Sequence, residues 1–313
     1  MKKALVTGGA GFIASHVVDA LIERGYEVAV VDNLSTGYER NLNQKAKFYK
    51  MDIRDESLKD VFDKEKPELV NHHAAQMDVR KSVAEPIYDA QVNVLGSLNL
   101  LENCRRVGVK KIVYASTGGA VYGEPSPSIF PVDERCDVDP LSQYGITKHV
   151  VEHYLSLYYK LYGIEYTVLR YPNVYGPRQD PHGEAGVVAI FTEQMLEGII
   201  PKIFGDGSKT RDYVFIEDLV RANMIAIDKG NHDIFNLGWG KEITDFEIFD
   251  TIRKALGLEI DPIYAEKRLG EIDRICLNAS KAKKVLDWHP TVSLKEGVAK
   301  AVGYYKKKKA GLL

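Results

Sequence analysis

Through the first 170 residues, short runs of β-branched and other apolar residues alternate with longer stretches of helical periodicity. Lys3 to Thr7 predicts a strand, and Phe12 to Glu23 a helix with Gly25 just past its end. Further strands are predicted over Glu27 to Val31, Phe48 to Met51, Glu68 to His72, Lys111 to Ala115 and Glu165 to Arg170. One long helix fits Ile87 to Val107, closed by Gly108, and another fits Tyr144 to Tyr162. The strands are near-continuously apolar, as in Val28-Ala29-Val30-Val31, rather than alternating. Both faces of their sheet must therefore be covered, which is the pattern of a parallel sheet between helices.

After Tyr171 the rhythm breaks. Pro172, Pro177, Pro181 and Pro201, with several glycines, cut the chain into shorter elements. Helices remain clear over Glu217 to Asp228, over Asp245 to Leu256 with Thr244 as N-cap, and from Ser293 into the terminal lysines. This predicts an α/β first domain over 1–172, joined by later segments around 213–240, and a smaller α/β domain over 173–313 that carries specificity.

Composition narrows the partners. The chain of 313 residues is 45% hydrophobic and 27% charged, ordinary for globular domains. Its 42 basic and 44 acidic residues leave a net charge of −2, which offers no general attraction to nucleic acid or an anionic membrane. The run Lys306 to Lys309 reads as a solvated helix end. No stretch approaches the roughly 20 apolar residues that span a bilayer. The apolar run behind Lys2-Lys3 stops at Thr7, unlike a signal peptide, so a cytoplasmic location is expected. Cys104, Cys136 and Cys276 are widely spaced and lack a CxxC pattern, so neither a metal site nor a disulfide is expected.

Two local patterns carry chemistry. Thr7-Gly8-Gly9-Ala10-Gly11-Phe12-Ile13-Ala14 lies between the first strand and the first helix. Glycine at 8 and 11 permits a tight turn and lets a phosphate approach the helix N-terminus. Asp32 then ends the second strand, where a carboxylate binds adenosine ribose hydroxyls and repels a 2′-phosphate. Asn33, Leu34 and Ser35 follow it with no arginine, so a Rossmann-type doubly wound sheet binding NAD rather than NADP is predicted. The second pattern is Tyr144-Gly145-Ile146-Thr147-Lys148, whose spacing puts the phenol and the ammonium on one helical face. A nearby ammonium stabilises phenolate and lowers a tyrosine pKa from about 10, which suits it to acid–base work.

Together with TGGAGFIASH, VVDNLSTG, HHAAQ, VYASTGGAVYGEP, RYPNVYGP, GDGSKTRDYVFIEDL and LGEIDRICLNASKA, these patterns resemble the extended short-chain dehydrogenase/reductase family. The likeness runs nearly end to end and is greatest to its nucleotide-sugar 4-epimerases acting on UDP-galactose. It implies interconversion of UDP-galactose and UDP-glucose with NAD, and a homodimer; the apolar stripes around Val94 to Leu101 and Tyr154 to Leu161 fit either a four-helix contact between two chains or core-facing helices. A 4-epimerase of UDP-N-acetylglucosamine or UDP-glucuronate is the alternative; a dehydratase or a non-catalytic NAD sensor fits less well. The resemblance implies that Gly8, Gly11, Phe12 and Ile13 line the pyrophosphate. Asp32, Asn33, Leu34, Ser35 and Gly37 would surround the adenosine ribose, with Asp52 and Ile53 by the adenine. His73, Ala74, Ala75, Gln76, Asn93 and Ser116 would complete the cofactor site, and Tyr171 would approach the nicotinamide. Tyr144 would be the acid/base, with Lys148 on the ribose. Asn173, Val187, Phe204, Arg211, Tyr213, Arg268, Glu271 and Ile275 would bind the UDP-sugar, Ile275 gating its sugar pocket.

Three positions depart from the family pattern. Ala14 replaces a glycine, and Met77 stands where lysine is frequent. Gly118 falls where the catalytic serine or threonine usually sits, so Thr117 is expected to supply the hydroxyl and a serine at 118 to be tolerated. Dehydratases carry an acidic pair in the Gly118-Gly119-Ala120 stretch, and its absence argues against elimination of water.

Overall fold

The computed structural model describes residues 2–182, 186–267 and 272–312. Its centre is a seven-stranded sheet, all parallel: β1 (Lys3–Thr7), β2 (Glu27–Asp32), β3 (Lys47–Lys50), β4 (Leu69–His72), β5 (Lys111–Thr117), β6 (Glu165–Tyr171) and β7 (Asp233–Asn236). The spatial order is β7-β6-β5-β4-β1-β2-β3. Strand order reverses between β1 and β4, which opens a crevice at their carboxyl ends where α/β sheets take ligands.

Successive side chains enter opposite layers. Ala4, Val6, Val28 and Val30 join a core under α1 (Phe12–Glu23) and the helix Ile216–Ala226. Leu5, Val31 and Val70 join a second core under α2 (Leu58–Glu65), α3 (Gly96–Val107) and α4 (Gln143–Tyr162). Fully burying a Val or Leu side chain is worth about 1.5–3 kcal/mol, so two-sided burial explains the unbroken apolar runs. The smaller lobe has three two-stranded ladders: Asn173–Tyr175 with Tyr213–Phe215, Thr210–Arg211 with Ile243–Thr244, and Lys202–Phe204 with Ile263–Ala265. The helix Asp245–Leu256 starts at Thr244 in a capping box with Glu247, and Leu294–Lys309 starts at Ser293.

The single helix predicted over Ile87 to Val107 is instead three pieces. Pro86–Ala90 leads into a π turn, Gln91–Leu95, before α3 begins at Gly96. The extra residue of a π turn rotates Asn93 inward, where its amide is fully used, and Gly96 leaves room for Ile53. Among the described residues no helix is long and apolar enough to cross a membrane. The three cysteines are free thiols, with Cys104 and Cys276 buried.

Candidate active site

The Gly-rich turn sits at the mouth of the crevice. Gly8 has φ of 72°, and a Cβ there would lie 2.8 Å from the Ala74 nitrogen, so only glycine lets the loop after β4 pass. α1 begins at Gly11 with no side-chain cap and no acid in its first turn, which leaves the N-terminus available to an anion. Ala14 is buried at the helix–sheet contact, where its methyl fits. Asp32 is nearly buried; Oδ2 accepts from Ala10 N at 2.9 Å and Oδ1 from Leu34 N at 2.8 Å. Burial raises its pKa, and those two bonds oppose the rise. Leu34 takes a left-handed φ of 60° to complete this loop.

At the adenosine end, Asp52 and Ile53 are held by partners of their own. Asp52 accepts from both Arg54 nitrogens at 2.9 Å and from Asn33 at 2.8 Å, and Arg54 holds it down at about 2. Ile53 is buried in the second core. The pair therefore builds a wall and presents no unpaired carboxylate. Arg54, distant in sequence from Asp32, has its charge matched by Asp52.

Behind the turn runs a buried polar chain. Thr7 Oγ1 accepts from the His73 and Ala74 amides and lies 2.7 Å from His72 Nδ1; His72 Nε2 meets Ser97 Oγ at 2.9 Å, and Ser97 donates to Asn93 O at 2.5 Å. Burial keeps His72 neutral. His73 Nε2 is 3.1 Å from the Tyr171 hydroxyl, which is held in turn by Asn223. Burial, and next the Lys148 charge, push His73 down to about 3. Its Nδ1 is buried with no partner, an orphan at the edge of the crevice. Gln76 and Asn93 bond reciprocally, Gln76 N to Oδ1 at 2.8 Å and Nδ2 to Gln76 O at 3.0 Å. A cradle no Cβ could enter, an uncapped helix end, a buried acceptor at Asp32 and this orphan nitrogen all fit a dinucleotide.

α4 brings the second pattern to the same place. Ser142 caps it by accepting from Gly145 N, which sets Tyr144, half-buried, in the first turn. Lys148 follows one turn later, 3% exposed, with its ammonium 4.3 Å from the centre of the Tyr114 ring. Burial pulls Lys148 down to about 7, while Glu152 and Asp89 oppose the shift. Glu152 is locked one further turn on by Arg170, at 2.6 and 3.0 Å, and by Ser116 at 2.6 Å. The Ser116 hydroxyl thus spends its proton on Glu152.

Thr117 ends β5 opposite Tyr171. Thr117 Oγ1 and Asn173 Oδ1 lie 3.9 and 3.8 Å from the point a Gly119 Cβ would occupy, so the two polar groups share one side of the turn. A Cβ at Gly118 would lie 2.3 Å from Leu277 Cδ1, inside the third core cluster. A serine side chain at 118 would start against the Leu277 methyls, so accepting it requires Leu277 to give way.

The substrate side is brought together in part. Arg211 donates to the Thr210 carbonyl at 2.8 Å and the Ile272 carbonyl at 2.6 Å, tying the strand Thr210–Arg211 to the segment at 272. Val187 opens the helix Val187–Leu196, and Phe204 ends Lys202–Phe204; both are half-buried. Tyr213 is 4% exposed and edge-on to Tyr175. Ile275 is buried beside Val121, Tyr122 and Leu277. Arg268 and Glu271 lie outside the described residues. The sequence reading missed Asp89, Thr147 and Asp212. Asp212, raised to about 6 by burial, accepts from the amides of Trp239, Gly240 and Leu277. Its place between Arg211 and Tyr213 was the one available signal.

A reversed-order parallel sheet, a phosphate cradle, an acid at the second strand and a Tyr–Lys pair on one helix define a dinucleotide-dependent acid–base enzyme. The chain belongs to the NAD dependent epimerase/dehydratase family, whose model matches residues 4–238. It is 45% identical over 312 residues to the UDP-glucose 4-epimerase of Mycolicibacterium smegmatis, covering 98% of this chain and 99% of that one. The crystal structure of the Thermotoga maritima UDP-glucose 4-epimerase with UDP-glucose superposes with a TM-score of 0.96 at 51% identity, covering 98% and 99%. The Thermus thermophilus UDP-glucose 4-epimerase in complex with NAD gives 0.92 at 43%, covering 97% and 99%.

Proposed function

We propose that this chain interconverts UDP-galactose and UDP-glucose by oxidation and re-reduction at sugar C4. The observation that supports the reading is the Tyr144–Lys148 pair in the first turns of α4 with Thr117 at the end of β5, and no acids in the Gly118-Gly119-Ala120 stretch where an eliminating enzyme carries them. Bound NAD supplies a hydride acceptor and then a hydride donor, and is unchanged over a cycle. Gly8, Gly11 and Asp32 would hold it, with Ala74, Ala75, Gln76 and Asn93 alongside. Tyr144, as phenolate, takes the proton from the sugar 4-hydroxyl and returns it to the same oxygen at the end. Lys148 stabilises that phenolate while it carries a proton itself. Thr117 donates a hydrogen bond to the sugar oxygen, and Asn173 and Arg211 hold the diphosphate while the 4-keto sugar turns over. Incubation of the purified chain with UDP-galactose tests this: UDP-glucose must accumulate toward equilibrium, and its absence sinks the reading.

The division at residue 172, a cytoplasmic setting without nucleic-acid partners and a homodimer complete the proposal. Leu100 and Leu155 enter the core, but Leu95, Leu157 and Leu161 stay exposed, at 58%, 44% and 60%. Paired across a two-fold axis, they would form a four-helix contact. Sedimentation of Leu157→Glu as monomer, against a wild-type dimer, tests it.

A further inference from the structure

Asp89 lies in the helix Pro86–Ala90 and is 0% exposed. Its Oδ1 accepts from Gln76 Nε2 at 2.9 Å and Asn93 Nδ2 at 3.0 Å; its Oδ2 accepts from the Thr147 hydroxyl at 2.7 Å. These donors come from three separate stretches: the loop after β4, the π turn and the first turns of α4. Thr147 stands next to Lys148, and its Oγ1 is also 3.2 Å from the Tyr144 carbonyl. All three donors are neutral, and burying a carboxylate among neutral donors is costly. An amide would fill the same space, so an acid at this position calls for a nearby positive charge. Lys148 is that charge. It is faced by Tyr144 and Glu152 on its own helix, Asp89 on the neighbouring one, His72 and His73 at the end of β4, and Tyr114 on β5.

We propose that Asp89 is a positioning residue: its buried carboxylate ties the Gln76 loop to the turn bearing Tyr144 and Lys148, and its charge keeps Lys148 protonated. The role of Lys148 rests on the epimerase reading; the tether does not. Burial draws the Lys148 proton off and Asp89 opposes this, so removing the charge makes Lys148 neutral at lower pH.

Two variants separate charge from geometry. In Asp89→Asn the carboxamide oxygen still accepts from Gln76 and Asn93, while its NH2 donates to Thr147, whose own proton turns to the Tyr144 carbonyl. Thr147→Val cuts the tether and leaves the charge. NAD affinity by calorimetry and UDP-galactose turnover are measured for the purified enzymes from pH 6 to 9. For Asp89→Asn the alkaline fall of both moves down by about one pH unit, a loss of about tenfold at pH 8 and about twofold at pH 6. Thr147→Val lowers turnover by the same factor at every pH. An Asp89→Asn profile that superimposes on wild type, or is only scaled down, overturns the charge role. Wild-type turnover in Thr147→Val overturns the tether. If the wild-type enzyme does not interconvert the sugars, the epimerase reading fails, while the NAD titrations still decide on Asp89.

Discussion

Replacing Gly118 by alanine tests the geometry of the catalytic turn without touching its polar groups. The new methyl would stand 2.3 Å from Leu277 Cδ1, 3.1 Å from Cδ2 and 3.3 Å from Cγ. Leu277 has nowhere open to go: it is 0% exposed among Val121, Tyr122, Val132 and Ile275, and its amide donates to Asp212 at 3.2 Å. Overpacking of this kind costs about 1–3 kcal/mol. Against it, alanine in place of glycine at the start of the helix Gly118–Val121 recovers about 0.5–1 kcal/mol of chain entropy. The net expectation is destabilisation by about 0–2.5 kcal/mol. Urea titration of wild type, Gly118→Ala, Leu277→Ala and the double variant measures it. Leu277→Ala alone leaves a cavity, and the added methyl should partly fill it, so the double variant should be more stable than the two single losses sum to. Gly118→Ala clearly more stable than wild type, or strict additivity, would refute the clash. Gly118→Ser should follow alanine in stability and add no activity, because its hydroxyl faces hydrocarbon.

Three further outcomes are expected. Tyr144→Phe should retain NAD and lose about 10²–10⁴-fold in turnover, as loss of a general base does; more than a tenth of wild-type activity would remove Tyr144 from the role. Asp32→Ala should weaken NAD and narrow the discrimination against NADP, and calorimetry showing unchanged NAD affinity would put Asp32 outside the site. The third concerns acid. Glu152 sits at about 2 in the folded chain against an ordinary 4.5, mainly through its bonds to His149 and Arg170 acting against burial. A depressed carboxylate stabilises fully above its unfolded value, so this contribution is lost as pH falls from about 4.5 toward about 2. Glu152→Gln, which strands the buried Arg170, should cost about 3–5 kcal/mol at pH 7 and flatten the acid limb of stability; an unchanged limb would show that the pair is not the acid-sensitive element.

What was legible in the chain was what neighbours in sequence decide. The turn at Gly8, the carboxylate of Asp32 and the Tyr144–Lys148 spacing are each set within one strand, turn or helix, and the structure brings all of them to one crevice. Thr244 and Ser293 announced their helices for the same reason. The features the sequence left unseen depend on distant partners. Gly118 meets Leu277, Tyr213 meets Tyr175, and the π turn at Asn93 answers Gln76 and Thr147; no window of sequence holds both members of any of these pairs. Asp89 has no local signature at all, because its importance lies in three donors that the fold collects. The helix Val187–Leu196 was missed because Val187 to Phe191 is an unbroken apolar run and its polar residues, Thr192-Glu193-Gln194, fall together rather than at helical spacing.

The place of β7 governs how the molecule is made. β6 is complete when Tyr171 has been synthesised, yet the strand that covers its outer edge, Asp233–Asn236, comes only after most of the smaller lobe's first ladder and the helix Ile216–Ala226. At ~5–20 residues per second the ribosome takes several seconds to cross that stretch. For that interval the backbone of Thr167 to Arg170 stands as an open strand edge on an otherwise assembled sheet, the kind of surface that recruits foreign strands. A fragment ended at residue 172 would hold that edge permanently. The nascent chain closes it only by emerging to Asn236, which makes elongation past that residue the step that ends its exposure to aggregation.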